Sequence, residues 1–160
     1  MFMTKHKFID DLEALENNPL IGNFLLLVVG TFNADINDNN ALWFYGRPEN
    51  EFWCFLPRMM NNPTLHPVDR NESLKELSDI WRKYCENNKI IIVDLFKSVE
   101  KDLVNHSDKE LKSLNKNEYK LFDYKKAFEK ANFNAVLFTW KGINGNDELN
   151  CAQCQGQNLF

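Results

Sequence analysis

Three short apolar runs constrain the fold of this chain more than any other feature. They are residues 24–29 (FLLLVV), 89–94 (KIIIVD) and 134–140 (NAVLFTW). Each run is too short for a buried helix and is flanked by polar or turn residues, which indicates strands buried on both faces. Segments with helical spacing separate the runs. This repeated strand–helix–strand order predicts an α/β fold with a short parallel sheet and helices on both faces.

The segments between the runs predict helices with recognisable starts. Thr4 is predicted to cap a helix over about residues 5–16. Pro48 is predicted to begin a second helix, which bends or stops at Pro57. Asn71 or Ser73 begins a third helix. Asp123 is predicted to cap a fourth helix that ends near residue 131. The positive and negative charges mixed along residues 97–130 are interpreted as solvated helix faces.

The C-terminal segment, residues 141–160, lacks an apolar run suited to a fourth central strand. A fourth strand is therefore expected to be missing or irregular. The sequence shows no internal repeat and no linker, so residues 1–160 are interpreted as a single domain.

Composition narrows the function classes. The chain has 160 residues, a hydrophobic fraction of 44% and a net charge of −4, which suits a folded protein and argues mildly against nonspecific nucleic-acid binding. The N-terminus does not match a secretory signal, and no run approaches the roughly 20 apolar residues of a membrane span. The expected location is therefore cytoplasmic, with four reduced cysteines: Cys54, Cys85, Cys151 and Cys154.

The Cys151-x-x-Cys154 pair is interpreted as a coincidence rather than a zinc site, because a structural zinc needs four ligands and no histidine is suitably spaced. No phosphate-binding loop or serine-nucleophile motif is present. The residues themselves therefore favour neither a zinc site nor these two kinds of catalytic or phosphate-binding loop.

Ligands of parallel α/β sheets bind at the carboxyl ends of the strands. Gly30, Asp94 and residues 140–141 occupy those ends in the predicted sheet. The first strand continues into Gly30-Thr31-Phe32, a polar loop, and then WFYGRPENEFW at 43–53. A chain that only needed to fold could use a much shorter connection.

This stretch resembles the first signature of the uracil-DNA glycosylase superfamily, most closely that of the hypoxanthine-DNA (deoxyinosine) glycosylase branch. The branch has a strand, Gly-Ser-Phe-Pro, a loop, and Tyr-Tyr-Gly-His-Pro-x-Asn-x-Phe-Trp. Here residues 30–32 match the first part and 44–53 the second. The chain differs at Asn33, where the family has proline, and at Glu49 and Glu51, where it often has basic residues. No counterpart of the family's DNA-clamping loop follows residue 140, so the C-terminal part is expected to be shortened or diverged.

The resemblance implies a three-layer α/β/α sandwich that cleaves the bond between a damaged base and its sugar without a metal or cofactor. Such an enzyme flips the base out of the duplex, stacks it on an aromatic ring and reads its edge. The resemblance makes Phe32 the stacking ring and Asn50 the catalytic residue, which holds the base or the attacking water. An amide orients such groups but cannot act as a general base. Gly30, Thr31, Tyr45 and Asp94 complete the expected binding site.

Structural roles remain open for the same residues. Helical spacing favours core positions for Phe52 and Trp53, whereas pocket and core are equally open for Phe32 and Tyr45. Asn50 has the alternative of satisfying local backbone groups, and Asp94 that of capping a helix.

Three functions follow. The first is a DNA glycosylase that excises hypoxanthine or uracil, whose partner is DNA containing a damaged base. The second is a catalytically degenerate member of the superfamily that acts as a non-enzymatic binding module. The third is a small-molecule hydrolase or nucleoside-binding protein with the same pocket. No membrane partner is expected, and the sequence leaves the oligomeric state open.

Overall fold

The computed structural model of the chain describes residues 3–69, 72–105, 110–111 and 114–139. These residues form mixed α/β structure with two small sheets. The elements in chain order are β1 (Thr4–Lys5), α1 (Ile9–Asn17), β2 (Ile21–Gly30), α2 (Phe52–Met59), a 3-10 turn (Pro67–Asp69), α3 (Leu74–Asn87), β3 (Ile90–Asp94), β4 (Phe96–Val99), β5 (Tyr119–Leu121), α4 (Tyr124–Phe128) and β6 (Lys130–Phe138).

The predicted parallel sheet is confirmed in its three strands, which lie in the order β3-β2-β6. The central strand β2 pairs in parallel with both neighbours, and its last residue, Gly30, is the register partner of Asp94. Residues 27–30 are all buried. The apolar runs therefore predicted this sheet correctly, because a strand covered on both faces needs apolar residues at successive positions.

A second sheet, which the sequence analysis did not predict, has the order β1-β4-β5 with antiparallel pairing. The prediction that Thr4 caps a helix was wrong. Thr4 pairs with Val99 in β1, its hydroxyl donates to the Lys101 carbonyl at 2.7 Å, and α1 begins only at Ile9. The interpretation of 97–130 as helix faces was wrong over β4 and β5. Strands of two to four residues are too short to show a period of their own.

Two helix starts agree with the sequence. Ser73 accepts from the Glu76 N–H while the Glu76 side chain accepts from the Ser73 N–H, and Asp123 accepts from the Lys126 N–H at 2.9 Å. The helix predicted to begin at Pro48 begins instead at Phe52, because residues 47–50 form a separate turn. Pro57 lies inside this helix near its end.

The larger of two hydrophobic clusters contains three tryptophans. Trp53 and Trp81 are fully buried and stack with ring centroids 5.1 Å apart, and the Trp81 indole donates to the Leu65 carbonyl at 2.9 Å. The core position predicted for Trp53 is confirmed. Cys54 and Cys85 are buried free thiols, and burial raises the pKa of Cys85 to about 12. Cys151, Cys154 and the rest of 140–160 lie outside the described residues.

Within the described ranges, no helix is long and apolar enough to cross a membrane.

Replacing Trp81 with phenylalanine tests the tryptophan stack. The change leaves a cavity and removes the indole donor from the buried Leu65 carbonyl, so the free energy of unfolding should fall by about 1–3 kcal/mol. Urea unfolding followed by circular dichroism measures it. The control is Phe55→Leu on the exposed side of α2, where the side chain is 59% exposed and the change should stay within about 0.5 kcal/mol. Equal effects of the two substitutions would contradict this account.

Candidate functional site

Three predicted site residues meet at the carboxyl edge of the parallel sheet. A Cβ atom at Gly30 would lie 2.1 Å from Oδ1 of Asp94 and 2.5 Å from the hydroxyl of Tyr45. Any side chain at position 30 would collide with these atoms, so glycine permits the close approach. Gly30, Tyr45 and Asp94 therefore form a compact group. Residues 140–141, expected at the same edge, lie outside the described residues.

The carboxylate of Asp94 is buried, with 1% of the residue exposed. Its Oδ2 accepts hydrogen bonds from Nε2 of His6 at 2.8 Å and Nδ2 of Asn33 at 2.6 Å. Its Oδ1 is buried and has no hydrogen-bond partner among the residues that the structure describes. The alternative that Asp94 caps a helix is wrong, because β4 follows β3 directly.

His6 is held by the second sheet, and the donor and acceptor roles of its two ring nitrogens follow from its contacts. Its backbone N–H donates to the Lys97 carbonyl, and the residue forms a bridge with Ala34. Its Nδ1 accepts the Phe8 N–H at 2.9 Å and therefore carries a lone pair. The neutral ring then has its proton on Nε2, which donates to Asp94.

His6 was not predicted as a site residue. It is separated from Asp94 by 88 positions, and no local pattern in the sequence links the two.

Tyr45 holds its hydroxyl at the site in a strained conformation. Its φ of 57° is in the left-handed region, which a tyrosine seldom adopts and which costs about 1–3 kcal/mol. Its hydroxyl forms a hydrogen bond of 2.8 Å with Oγ1 of the exposed Thr139, and its ring stacks on Phe52 with centroids 4.2 Å apart. The Tyr45–Thr139 pair therefore marks the solvent side of the group.

Tyr124 packs against both hydrophobic clusters and has a buried hydroxyl. The oxygen is buried and has no hydrogen-bond partner within the described part of the chain. Burial raises the pKa of Tyr124 well above its ordinary value, and interactions with Asp94 and Tyr45 raise it further. The hydroxyl therefore stays protonated at neutral pH and can donate a hydrogen bond.

The remaining predicted residues have different surroundings. Phe32 is 7% exposed and packs in the second hydrophobic cluster, with its ring near those of His6 and Phe96. A flipped base could reach this ring only after neighbouring side chains move. The backbone carbonyl of Thr31 accepts the Phe96 N–H at 3.0 Å.

Asn50 lies at the start of α2, where its side-chain oxygen accepts the Phe52 N–H at 2.9 Å. This is the local backbone role that the sequence left open, and it does not use the amide nitrogen. The structure joins Asn50 to α2 through this bond, whereas Phe32 lies in the second cluster. Glu49 and Glu51 on either side are exposed.

Among the described residues, no group of three or more His, Cys, Asp or Glu side chains is placed to hold a metal ion. A scan against protein-family models, a search of curated proteins and a search of solved structures each found no match to this chain.

A double-mutant cycle tests the contact between Gly30 and Asp94. Gly30→Ala should lower the free energy of unfolding by about 1–3 kcal/mol, because the new Cβ overlaps the carboxylate. In an Asp94→Ala background the same change should cost less, since only the Tyr45 hydroxyl then remains in the way. Urea unfolding of the four proteins measures the coupling, and additive effects would contradict the contact.

Proposed function

We propose that this chain is a glycosylase-like hydrolase of N-glycosidic bonds, with the three-layer α/β/α architecture of the uracil-DNA glycosylase superfamily. The observation that carries the proposal is the convergence of the Asp94 carboxylate and the Tyr45 hydroxyl over Gly30. This group lies at the carboxyl edge of a parallel sheet, where ligands of such sheets bind. Two of its members, Gly30 and Tyr45, come from the stretch that resembles the superfamily signature.

The substrate of this proposal is DNA containing a damaged base, hypoxanthine or uracil. The Tyr45–Phe52 ring pair offers a half-buried aromatic surface beside Gly30 on which a flipped base can stack. The amide nitrogen of Asn50 is the group proposed to hold the base or the water, since its oxygen is bonded to Phe52. Phe32, which the signature assigns to stacking, packs in the second cluster near His6 and lies apart from this ring pair.

A non-enzymatic binding module is the second candidate, and two observations favour it. Glu49 and Glu51 are exposed beside the start of α2, where they repel the phosphates of DNA. Phe32, the ring that the signature assigns to stacking, is packed in the second cluster. An acidic surface of this kind suits a protein partner better than a nucleic acid.

Base release from defined substrates tests the proposal. Labelled single-stranded and duplex oligonucleotides with one hypoxanthine or uracil are incubated with the protein and treated with alkali, and strand breaks are expected at the modified position. Free deoxyinosine and deoxyuridine are assayed in parallel. Release from the nucleosides alone would favour a small-molecule hydrolase. If no base is released from any substrate and the protein shows no salt-dependent binding to DNA, the non-enzymatic binding module is the function that remains.

Substitution of Asn50 separates its chemical role from its structural one. Asn50→Asp keeps an oxygen for the Phe52 N–H at the helix start but removes the amide donor. We expect unchanged thermal unfolding and a base-release rate lower by about 10- to 100-fold, as loss of one hydrogen bond in the transition state predicts.

The matched control is Asn134→Ala, at an exposed position of β6, and its rate should be that of the unaltered protein. If the Asn50→Asp protein releases base at the rate of the unaltered protein, Asn50 has no catalytic role.

A further inference from the structure

Asp94 is an unusual buried carboxylate because only one of its oxygens is bonded. Both N–H donors, from His6 and Asn33, reach Oδ2, whereas Oδ1 is buried without a partner in the described ranges. Buried polar atoms are almost always hydrogen-bonded, and a buried charged oxygen left without a donor opposes folding. The unpartnered Oδ1 of Asp94 is an exception to this rule and therefore indicates a role for this atom other than holding the fold together.

Glu16 provides an internal comparison within the same protein. It is also a buried carboxylate, with 7% of the residue exposed. Its Oε2 accepts from Nζ of Lys97 at 2.7 Å and its Oε1 accepts from the Asp123 N–H at 2.8 Å. A carboxylate that only holds segments together thus has both oxygens satisfied here, and Asp94 does not follow this pattern.

The contacts of Oδ2 fix the direction of Oδ1. The His6 ring is itself fixed, because its Nδ1 accepts the Phe8 N–H and its faces and edges pack against aromatic rings. With Asn33 as the second donor, the carboxylate is held in one orientation. Oδ1 then lies against Gly30, on the side where the Tyr45 hydroxyl also lies.

A second unpartnered group is the hydroxyl of Tyr124, a residue that packs against the second cluster, which contains Leu95, the residue after Asp94. This hydroxyl is buried, and its electrostatic interaction with Asp94 contributes to the raised pKa of Tyr124. One group can only accept a hydrogen bond and the other can donate one. A water molecule with one acceptor and one donor at its side would satisfy both.

We propose that Oδ1 of Asp94 is the general base of the reaction, that the Tyr124 hydroxyl helps to hold the attacking water, and that His6 and Asn33 position the carboxylate. This inference rests on the proposed N-glycosidic hydrolase function. It assigns the proton transfer to a residue that the sequence signature gave no catalytic role, and it leaves Asn50 to hold the base.

The reaction balances with water as the second reactant. Oδ1 takes one proton from the water as the water oxygen forms a bond with the sugar carbon C1′. The bond between C1′ and the base nitrogen breaks, and its electron pair leaves with that nitrogen. The proton on Asp94 then passes through solvent to the departing base. One water is consumed, and the products are the free base and a sugar with a hydroxyl at C1′.

Asp94→Asn tests the base directly. The asparagine oxygen can still accept from His6 and Asn33, while the other atom becomes an NH₂ group that cannot take a proton. We expect the single-turnover rate of base release to fall by about 100-fold or more. Binding of an oligonucleotide with a non-hydrolysable 2′-fluoro sugar should change by less than about threefold. The control Asp79→Asn, at an exposed aspartate of α3, should keep the full rate.

Tyr124→Phe gives a test that does not depend on the folding of Asp94→Asn. Removal of a buried hydroxyl that has no partner should leave stability unchanged or raise it. A purely structural tyrosine would therefore show no loss of rate. We expect the rate to fall by about 10-fold, with an unchanged urea midpoint.

The positioning role of His6 has its own readout. His6→Gln places an amide donor where Nε2 lies, whereas His6→Ala removes the donor. We expect both to lower kcat with little change in KM, and the glutamine to recover part of the loss, because it still orients the carboxylate. An unchanged kcat in both variants would show that His6 serves stability alone.

The outcomes separate the two proposals. An unaltered protein that releases no base from any substrate defeats the proposed function and, with it, this inference. Activity in the unaltered protein together with full activity in Asp94→Asn overturns the inference alone. If Asp94→Asn fails to fold, full activity in Tyr124→Phe overturns it in the same way. Loss of rate in both variants supports it.

Discussion

The buried carboxylate of Asp94 joins three segments of the chain that are distant in sequence. It ends β3, receives one hydrogen bond from the loop after β2 through Asn33, and another from the N-terminal segment through His6. Removing a charge from water is unfavourable unless donors surround it, so these bonds are a condition for burying the group. The position of His6 in turn requires the small antiparallel sheet, because its backbone is bonded to the Lys97 carbonyl in β4.

The second sheet therefore also holds the N-terminal segment that carries His6 in position. Strands β1 and β5 are only two and three residues long, and such short strands have little stability alone. Glu16 fastens α1 to β4 through Lys97 and to the start of α4 through the Asp123 N–H. Together, the bonds of Glu16 and Asp94 dock this sheet beside the parallel sheet. The result is a fixed N-terminal segment against the edge where ligands of such folds bind.

The sequence predicted the elements whose signal lies in one continuous stretch. The three apolar runs predicted the parallel sheet, and Ser73 and Asp123 predicted the starts of α3 and α4. The elements that the sequence did not predict depend on contacts between distant residues. Strands β1 and β4 pair through Thr4 and Val99, and no local pattern near either residue indicates this pairing. For the site, Gly30, Tyr45 and Asp94 were predicted from strand ends and the signature. His6 was not, because a histidine in a polar N-terminal segment has no local feature that marks it as buried.

Asn33 is a position at which this chain differs from the signature, and its side chain is one of the two donors to the Asp94 carboxylate. The signature has proline at this position, which offers no side-chain donor. Here the Asn33 carbonyl accepts the Lys7 N–H and its side chain donates to Asp94, so one residue binds both the N-terminal segment and the site. Replacing a half-satisfied buried carboxylate with an apolar residue is commonly neutral or stabilising. The chain instead supplies two donors to orient Asp94 and leaves one oxygen over Gly30 without a partner in the described structure. This arrangement opposes folding at that atom, a cost that is consistent with the general-base role proposed for Oδ1.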